Sequence, residues 1–172
     1  MITLLQARRS IRKYQADRIA EPIMAILQEA VLRSPSSRGI NPWEFVFVDD
    51  PALLTKLSAA KEHGSAFLKD AALGVVVCAD ETKSDAWVED CAIASIILQL
   101  TAHSLGLGSC WIQIRNRLHD ETISAEQYIR QVLGLPAQLN VESIISIGYP
   151  AEVKKGHPAL SLAYPKIHLN RY

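Results

Sequence analysis

Hydrophobic positions along the chain follow two spacings, and those spacings predict the elements. Ile23, Ile26, Leu27, Ala30 and Val31 recur at helical spacing behind Pro22, a residue suited to a first helical turn. Pro22 to Arg33 is therefore expected to form a helix with one face in the core, and a shorter helix is expected over residues 3–9, ending at Arg8 and Arg9. FVFV at 45–48 and LGVVVC at 73–78 are unbroken apolar runs of strand length and read as buried strands. Between them, Asp50 and Pro51 are start signals for a helix carrying Leu53, Leu54 and Leu57. From about Asp85 to Leu105 there is no proline or glycine, and Cys91 to Leu100 is apolar nearly all round. That pattern marks a helix buried on most sides, either central or shared with a partner subunit. A strand at 109–112, a helix from Ser124 to Leu133 and a strand at 143–148 complete the series. Ser124 and Gln127 suit a capping box, and Gly134 with Pro136 ends that helix.

Alternating strands and helices make the domain α/β or α+β, and pattern alone predicts a parallel, doubly wound sheet. The run SLGLGSC at 104–110 then invites comparison with a dinucleotide-binding loop. Such a loop must follow a strand and open a helix. Here Gly106 and Gly108 follow a helix and precede a strand, so they read first as a helix cap.

The 172 residues, 49% of them hydrophobic, fit one domain, with residues 150–172 turn-rich and broken by Pro158 and Pro165. Eighteen basic and eighteen acidic side chains cancel, so no overall field would hold a nucleic acid or an anionic membrane. No apolar run is long enough to span a bilayer, and the N-terminal stretch is too short for a secretory signal. Cys78, Cys91 and Cys110 are odd in number, lack C-x-x-C spacing and sit in apolar runs, which suits reduced, buried thiols and a cytoplasmic protein. The histidines show no metal-ligand spacing, and no metal is expected.

Two stretches carry candidate chemistry. In RRSIRKY, Arg8, Arg9, Arg12 and Lys13 surround Ser10. The rigid donor forks of arginine match a phosphate monoester, although a solvated helix end facing the negative dipole pole would look the same. In SPSSRGINPWEF at 34–45, Ser36, Ser37 and Asn41 could bond a flat polar heterocycle while Pro35, Pro42 and Trp43 stiffen the loop. An ordinary polar connection fits that stretch equally well.

RRSIRKY, SPSSRGINPWEF, DAALGVVVCAD at 70–80, WVEDCAIASIILQLTAHSLGLGSCWI at 87–112 and SIGYPAE at 146–152 occur in the order seen in the nitroreductase family of FMN-dependent oxidoreductases, which the chain resembles end to end. The resemblance implies an α+β fold with a mixed, mostly antiparallel central sheet flanked by helices, and a C-terminal arm, 150–172, exchanged with the partner of a homodimer. It implies FMN as cofactor and NADH or NADPH as co-substrate. Arg8, Arg9 and Ser10 match the phosphate-binding triplet, and Arg12 matches a basic position toward the ring or phosphate. Pro35, Ser36, Ser37 and Asn41 match the segment that reaches the flavin from the other subunit. Ile112 and Gln113 fall where the backbone approaches flavin N5, and Lys155 and His157 fall where basic side chains often stand near the phosphate, His157 replacing a common arginine.

The implied activity is reduction of nitroaromatic, quinone or related small-molecule acceptors by a ping-pong mechanism. The flavin carries the chemistry, no catalytic side chain is demanded, and Arg12 gives electrostatic support. A flavin-binding redox sensor or carrier without significant turnover is the alternative.

Overall fold

The computed structural model describes residues 1–172. In chain order it comprises α1 (Ile2–Ala7), α2 (Glu21–Leu32), β1 (Trp43–Val48), α3 (Pro51–Ser58), β2 (Leu73–Asp80), α4 (Trp87–Ser104), β3 (Gly108–Gln113), α5 (Ala125–Leu133) and β4 (Leu139–Gly148), with short 3-10 turns at 37–39, 66–70, 159–161 and 164–166. The strands form one sheet in the order β1-β2-β4-β3, and every neighbouring pair is antiparallel.

The sheet expected from pattern alone was parallel, and the difference lies in how many times each connection crosses. After β1 the chain goes out along α3 and returns through 59–72, so β2 starts opposite the end of β1, Val48 facing Gly74. Two passes give antiparallel neighbours. By contrast α4 makes a single pass, so β2 and β3 do run in the same direction, with β4 inserted between them in the opposite sense. The crossover is a split βαβ unit.

Both faces of the sheet are covered, which is why β2 is buried at all eight positions. On one side Leu54 and Leu57 of α3, Leu68, and Ala125 and Ile129 of α5 pack on Val76, Cys78, Ile112, Val141 and Ile144. On the other, Leu27 and Val31 of α2 and Trp87, Cys91, Leu98 and Ala102 of α4 pack on Val75, Val77, Ile145 and Ile147. A serine pair, Ser95 Oγ to Ser143 Oγ at 3.2 Å, ties the middle of α4 to β4. α5 begins and ends at the predicted signals: Ser124 Oγ accepts from Gln127 N–H at 3.0 Å, and Gly134 takes φ 65°. All three cysteines are free and buried, and burial pushes the Cys78 thiol up to about 12. No helix is long and apolar enough to cross a membrane.

Beyond Gly156 every residue is exposed, including Leu160, Ile167 and Leu169. α4 also leaves Ile93 and Ile96 uncovered on its outer side.

Candidate active site

α1 ends because Arg8 turns extended, φ −60° and ψ 131°, and the chain then runs along the outer side of β3. Ile11 N–H donates to Ser109 O at 2.9 Å. This run has room only because residue 108 lacks a side chain, since a Cβ there would lie 2.8 Å from Ile11 Cβ. The start of the tail closes over the same run from outside. Gln15 N–H donates to Tyr149 O and Ala151 N–H to Lys13 O, both at 2.9 Å. Glu152 accepts from Arg12 N–H at 2.6 Å, and Arg9 donates through Nη1 to Lys155 O. Lys154 Nζ reaches Ser10 O at 2.8 Å and pairs with Glu152 at 3.0 Å. Gly156 permits the closure, because a Cβ there would run into the carbonyl of Gln6.

The clamp gathers positive charge without neutralising it. Lys154 has Glu152, but Arg8, Arg9 and Arg12 have no carboxylate within ion-pair distance. The Arg12 guanidinium lies 5.7 Å from the centroid of the Phe67 ring. Cys110 sits behind this group: burial pushes its thiol up, while Arg12, a hydrogen bond with Ser10, Lys154 and Arg8 pull in the opposite direction. On the loop after α3, partial burial and then the charge of Arg117 hold the Lys61 ammonium below its usual range.

Next to the clamp, β3 has an open edge. Ser109 faces outward to Ile11, and antiparallel alternation then turns the backbone N–H of Trp111 and Gln113 to the open side and that of Ile112 in toward β4. The Ile112 side chain is buried among α3 and α5 residues. Of the two expected edge contacts, Gln113 is therefore presented outward and Ile112 inward. Trp111 Nε1 donates to Gln113 Oε1 at 2.9 Å, and Gln113 Nε2 donates to Arg115 O at 3.1 Å, so the amide is held at both ends.

The loop with Pro35, Ser36, Ser37 and Asn41 stands elsewhere. Ser37 N–H donates to Asp90 Oδ1 at 2.7 Å, which fastens the loop to the first turn of α4. Ser36 Oγ donates to Asn41 Oδ1 at 2.7 Å and accepts from Asn41 N–H at 2.8 Å, holding Asn41 at φ 52°. The arginine run lies beyond the opposite end of α4, whose 18 residues span about 27 Å at about 1.5 Å per residue. A single protomer does not bring the two segments together.

The sequence profile described as Nitroreductase family matches residues 5–97 and 59–149. The chain belongs to the nitroreductase family. It is 34% identical over 99% of its length to "Putative NADH dehydrogenase/NAD(P)H nitroreductase" of Archaeoglobus fulgidus, covering 98% of that protein. It is 47% identical to a solved FMN-dependent nitroreductase from Clostridium difficile R20291, with full coverage of both chains and a TM-score of 0.98. An NADPH:FMN oxidoreductase from Vibrio harveyi, 24% identical with a TM-score of 0.80 over 99% of this chain and 77% of that one, shares the fold. The nitroreductase fold, α+β with an antiparallel sheet, replaces the doubly wound arrangement expected from pattern alone.

Within this nitroreductase family member, the tail is where sequence reading and structure part. The side chains of Lys155 and His157 are exposed, whereas Lys154 reaches the arginine run. Successive side chains of an extended segment point to opposite sides, so of the adjacent lysines only one can face inward. Phe67, which stands 5.7 Å from the Arg12 guanidinium, carries no spacing signal of its own in KEHGSAFLKD.

Proposed function

We propose that the protein is an FMN-dependent oxidoreductase that takes hydride from NADH or NADPH and passes it, in two half-reactions at one site, to a nitroaromatic, quinone or related flat acceptor. The observation that carries this reading is the arginine run, clamped by Gly108, Gly156 and the tail beside an open strand edge, with Arg8, Arg9 and Arg12 lacking carboxylate partners. Guanidinium groups without carboxylate partners beside free backbone donors fit an anionic cofactor with a flat polar ring.

Arg8, Arg9 and Ser10 would hold the phosphate, with Lys154 adding charge from the tail. Arg12, braced by Phe67, would face the ring or phosphate, and the outward N–H of Gln113 would meet the ring edge. When bound, FMN supplies the hydride-accepting and hydride-donating chemistry. The chain's part is to fix the ring, offer cations where negative charge develops and exclude water. No acid or base side chain is required of it.

A second copy of the chain would supply Pro35, Ser36, Ser37 and Asn41 to the same ring. Exposed Ile93 and Ile96 on α4, and Leu160, Ile167 and Leu169 on the arm, are apolar positions that a partner would bury, with the arm crossing over it. Purified protein is expected to be yellow and dimeric, and stopped-flow mixing with NADH or NADPH should bleach it rapidly. A bound flavin that neither nucleotide bleaches would favour a sensor or carrier; protein that takes up no FMN would end the reading.

A further inference from the structure

Asp90 is an acid in the first turn of α4 that the reading above leaves without a task. An acidic side chain is ordinary there when it faces solvent at the positive pole of the helix, as exposed Glu89 does. Asp90 is different, because it is 2% exposed. A carboxyl withdrawn from water is tolerated only where hydrogen bonds replace its hydration. Its Oδ1 accepts from Ser37 N–H at 2.7 Å, and its Oδ2 meets the Ser84 hydroxyl at 3.4 Å, which in turn accepts from Ala86 N–H at 3.2 Å. One buried side chain thus joins the loop before β1, the turn after β2 and α4 itself.

The loop needs such an anchor. Arg38, Gly39 and Asn41 all take left-handed backbone, φ 55°, 67° and 52°. Glycine does so freely and asparagine at small cost, but an arginine stays there only when its surroundings fix it. Ser37 opens the short turn 37–39, and the N–H that opens a turn has no acceptor within it. Asp90 supplies that acceptor. The other strap on the loop, Arg38 Nη2 to Asp85 Oδ1 at 2.6 Å, joins two largely exposed side chains, and water screens such a pair to little net effect. With the loop so held, Ser36 occupies Asn41 Oδ1, while Asn41 Nδ2 and Ser37 Oγ are left without partners in the protomer. Both are donors, the chemistry that the accepting edge of a heterocycle calls for. Three residues along α4 from Asp90 stands Ile93, exposed and apolar, so the element that fixes the loop also carries the surface proposed to meet another copy.

We propose that Asp90 is a positioning residue for the flavin site: by fixing Ser37 it sets the loop that delivers Pro35, Ser36, Ser37 and Asn41 to a ring held by the arginines of a second copy. The claim rests on the function proposed above for that ring and for its sharing between copies. Asp90 acts through the loop and not by contact with the flavin.

The test is complementation between two differently tagged chains, one Asp90→Ala and one Arg9→Ala, co-expressed and purified through both tags. In the mixed dimer the arginines of the Asp90→Ala chain meet the intact loop of the Arg9→Ala chain, so one site per dimer is expected to bind FMN with wild-type affinity in a fluorescence titration. Each variant alone should bind about tenfold more weakly or worse, the loss expected when a hydrogen bond to a charged group is removed. Asp90→Asn keeps an oxygen for Ser37 N–H and should retain most of the affinity. A carboxyl that merely stabilised its own protomer would leave the arginine site of the Asp90→Ala chain damaged as well, and no site would be restored. A mixed dimer without a wild-type site, or an Asp90→Ala homodimer of unchanged affinity, overturns the proposal, as does a loss in Asp85→Ala as large as that in Asp90→Ala.

Amide hydrogen exchange reads the anchor without flavin. In unmutated protein the Ser37 amide is expected to exchange slowly, and in Asp90→Ala rapidly, with the β2 and β4 amides unchanged. A Ser37 amide that exchanges freely in unmutated protein overturns the proposal even if Asp90→Ala does not fold. Unmutated protein that takes up no FMN would instead sink the function proposed above, with the exchange result still deciding the anchor.

Discussion

Ile11 rests directly on the backbone of Gly108: a side chain at 108 would put its Cβ 2.8 Å from both Cβ and Cγ2 of Ile11. The helix cap at Gly106, φ 80°, and the bare strand start at Gly108 thus divide the work of the LGLG run. One reverses the chain after α4, and the other seats the arginines.

Gly108→Ala should therefore act on binding more than on folding. The methyl group meets a β-branched side chain at its stiffest atom, so the run Arg8 to Arg12 has to lift off β3. The expected overpacking cost is about 1–3 kcal/mol, and FMN affinity should fall about tenfold or more. Thermal melts and flavin fluorescence titration on one sample separate the two effects. Unchanged FMN affinity would show that the seat of Ile11 is irrelevant to the site.

The tail supplies one lysine and not its neighbour. Lys154 reaches Ser10 O at 2.8 Å, while Lys155 offers only its backbone carbonyl, to Arg9. Lys154→Ala should weaken FMN binding, and Lys155→Ala should leave it nearly unchanged. Arg9→Ala, which removes a charge-assisted donor, should cost about 1.5–3 kcal/mol of FMN binding. Isothermal titration of the three variants gives the order directly, and a larger loss at Lys155 than at Lys154 would mean that the tail register is different.

Cys110 lies behind the arginine run but is 1% exposed, and burial outweighs the cations that would favour its thiolate. A thiol in that state is a poor nucleophile. Cys110→Ala is expected to leave turnover largely intact, and the native protein should resist thiol reagents that label it readily in urea. Lost turnover with flavin still bound would assign the thiol a chemical role.

The elements readable in advance were those whose ends are local. Ser124 and Gly134 bracket α5 by their own chemistry, and the absence of glycine and proline between 85 and 105 leaves little choice for α4. β4 was expected from 143, yet it begins at Leu139, because Asn140 and the bulged Glu142 interrupt the apolar run that marks a buried strand. Strand direction was not legible either, since it depends on whether the segment after α3 turns back. For the candidate site, the arginines stand out by density, and the backbone of their run lies against the outer edge of β3 at Ser109. Lys154 and Phe67 reach that neighbourhood only through contacts with residues far away in the chain, which no local pattern encodes.

Asp120 gives a prediction for the loop that follows the site. Its Oδ1 accepts from Thr122 N–H and Thr122 Oγ1, both at 2.7 Å, and from Ile123 N–H at 2.9 Å, which holds the carboxyl down to about 2. The pKa is lower in the folded chain than the ordinary 3.8, so the ionised form favours folding. That contribution is complete above the ordinary value and fades as pH falls from there through about 2. Asp120→Ala should consequently be less stable than wild type at pH 5, with the gap closing toward pH 2. Urea melts at pH 5, 4, 3 and 2 read the difference, and a gap that stays constant over that range would mean that the hydrogen-bonded turn persists with a neutral carboxyl. Because His119, stacked on Tyr128 at 3.9 Å, immediately precedes this turn, the same series should show whether acid loosens the entry to α5 before the sheet.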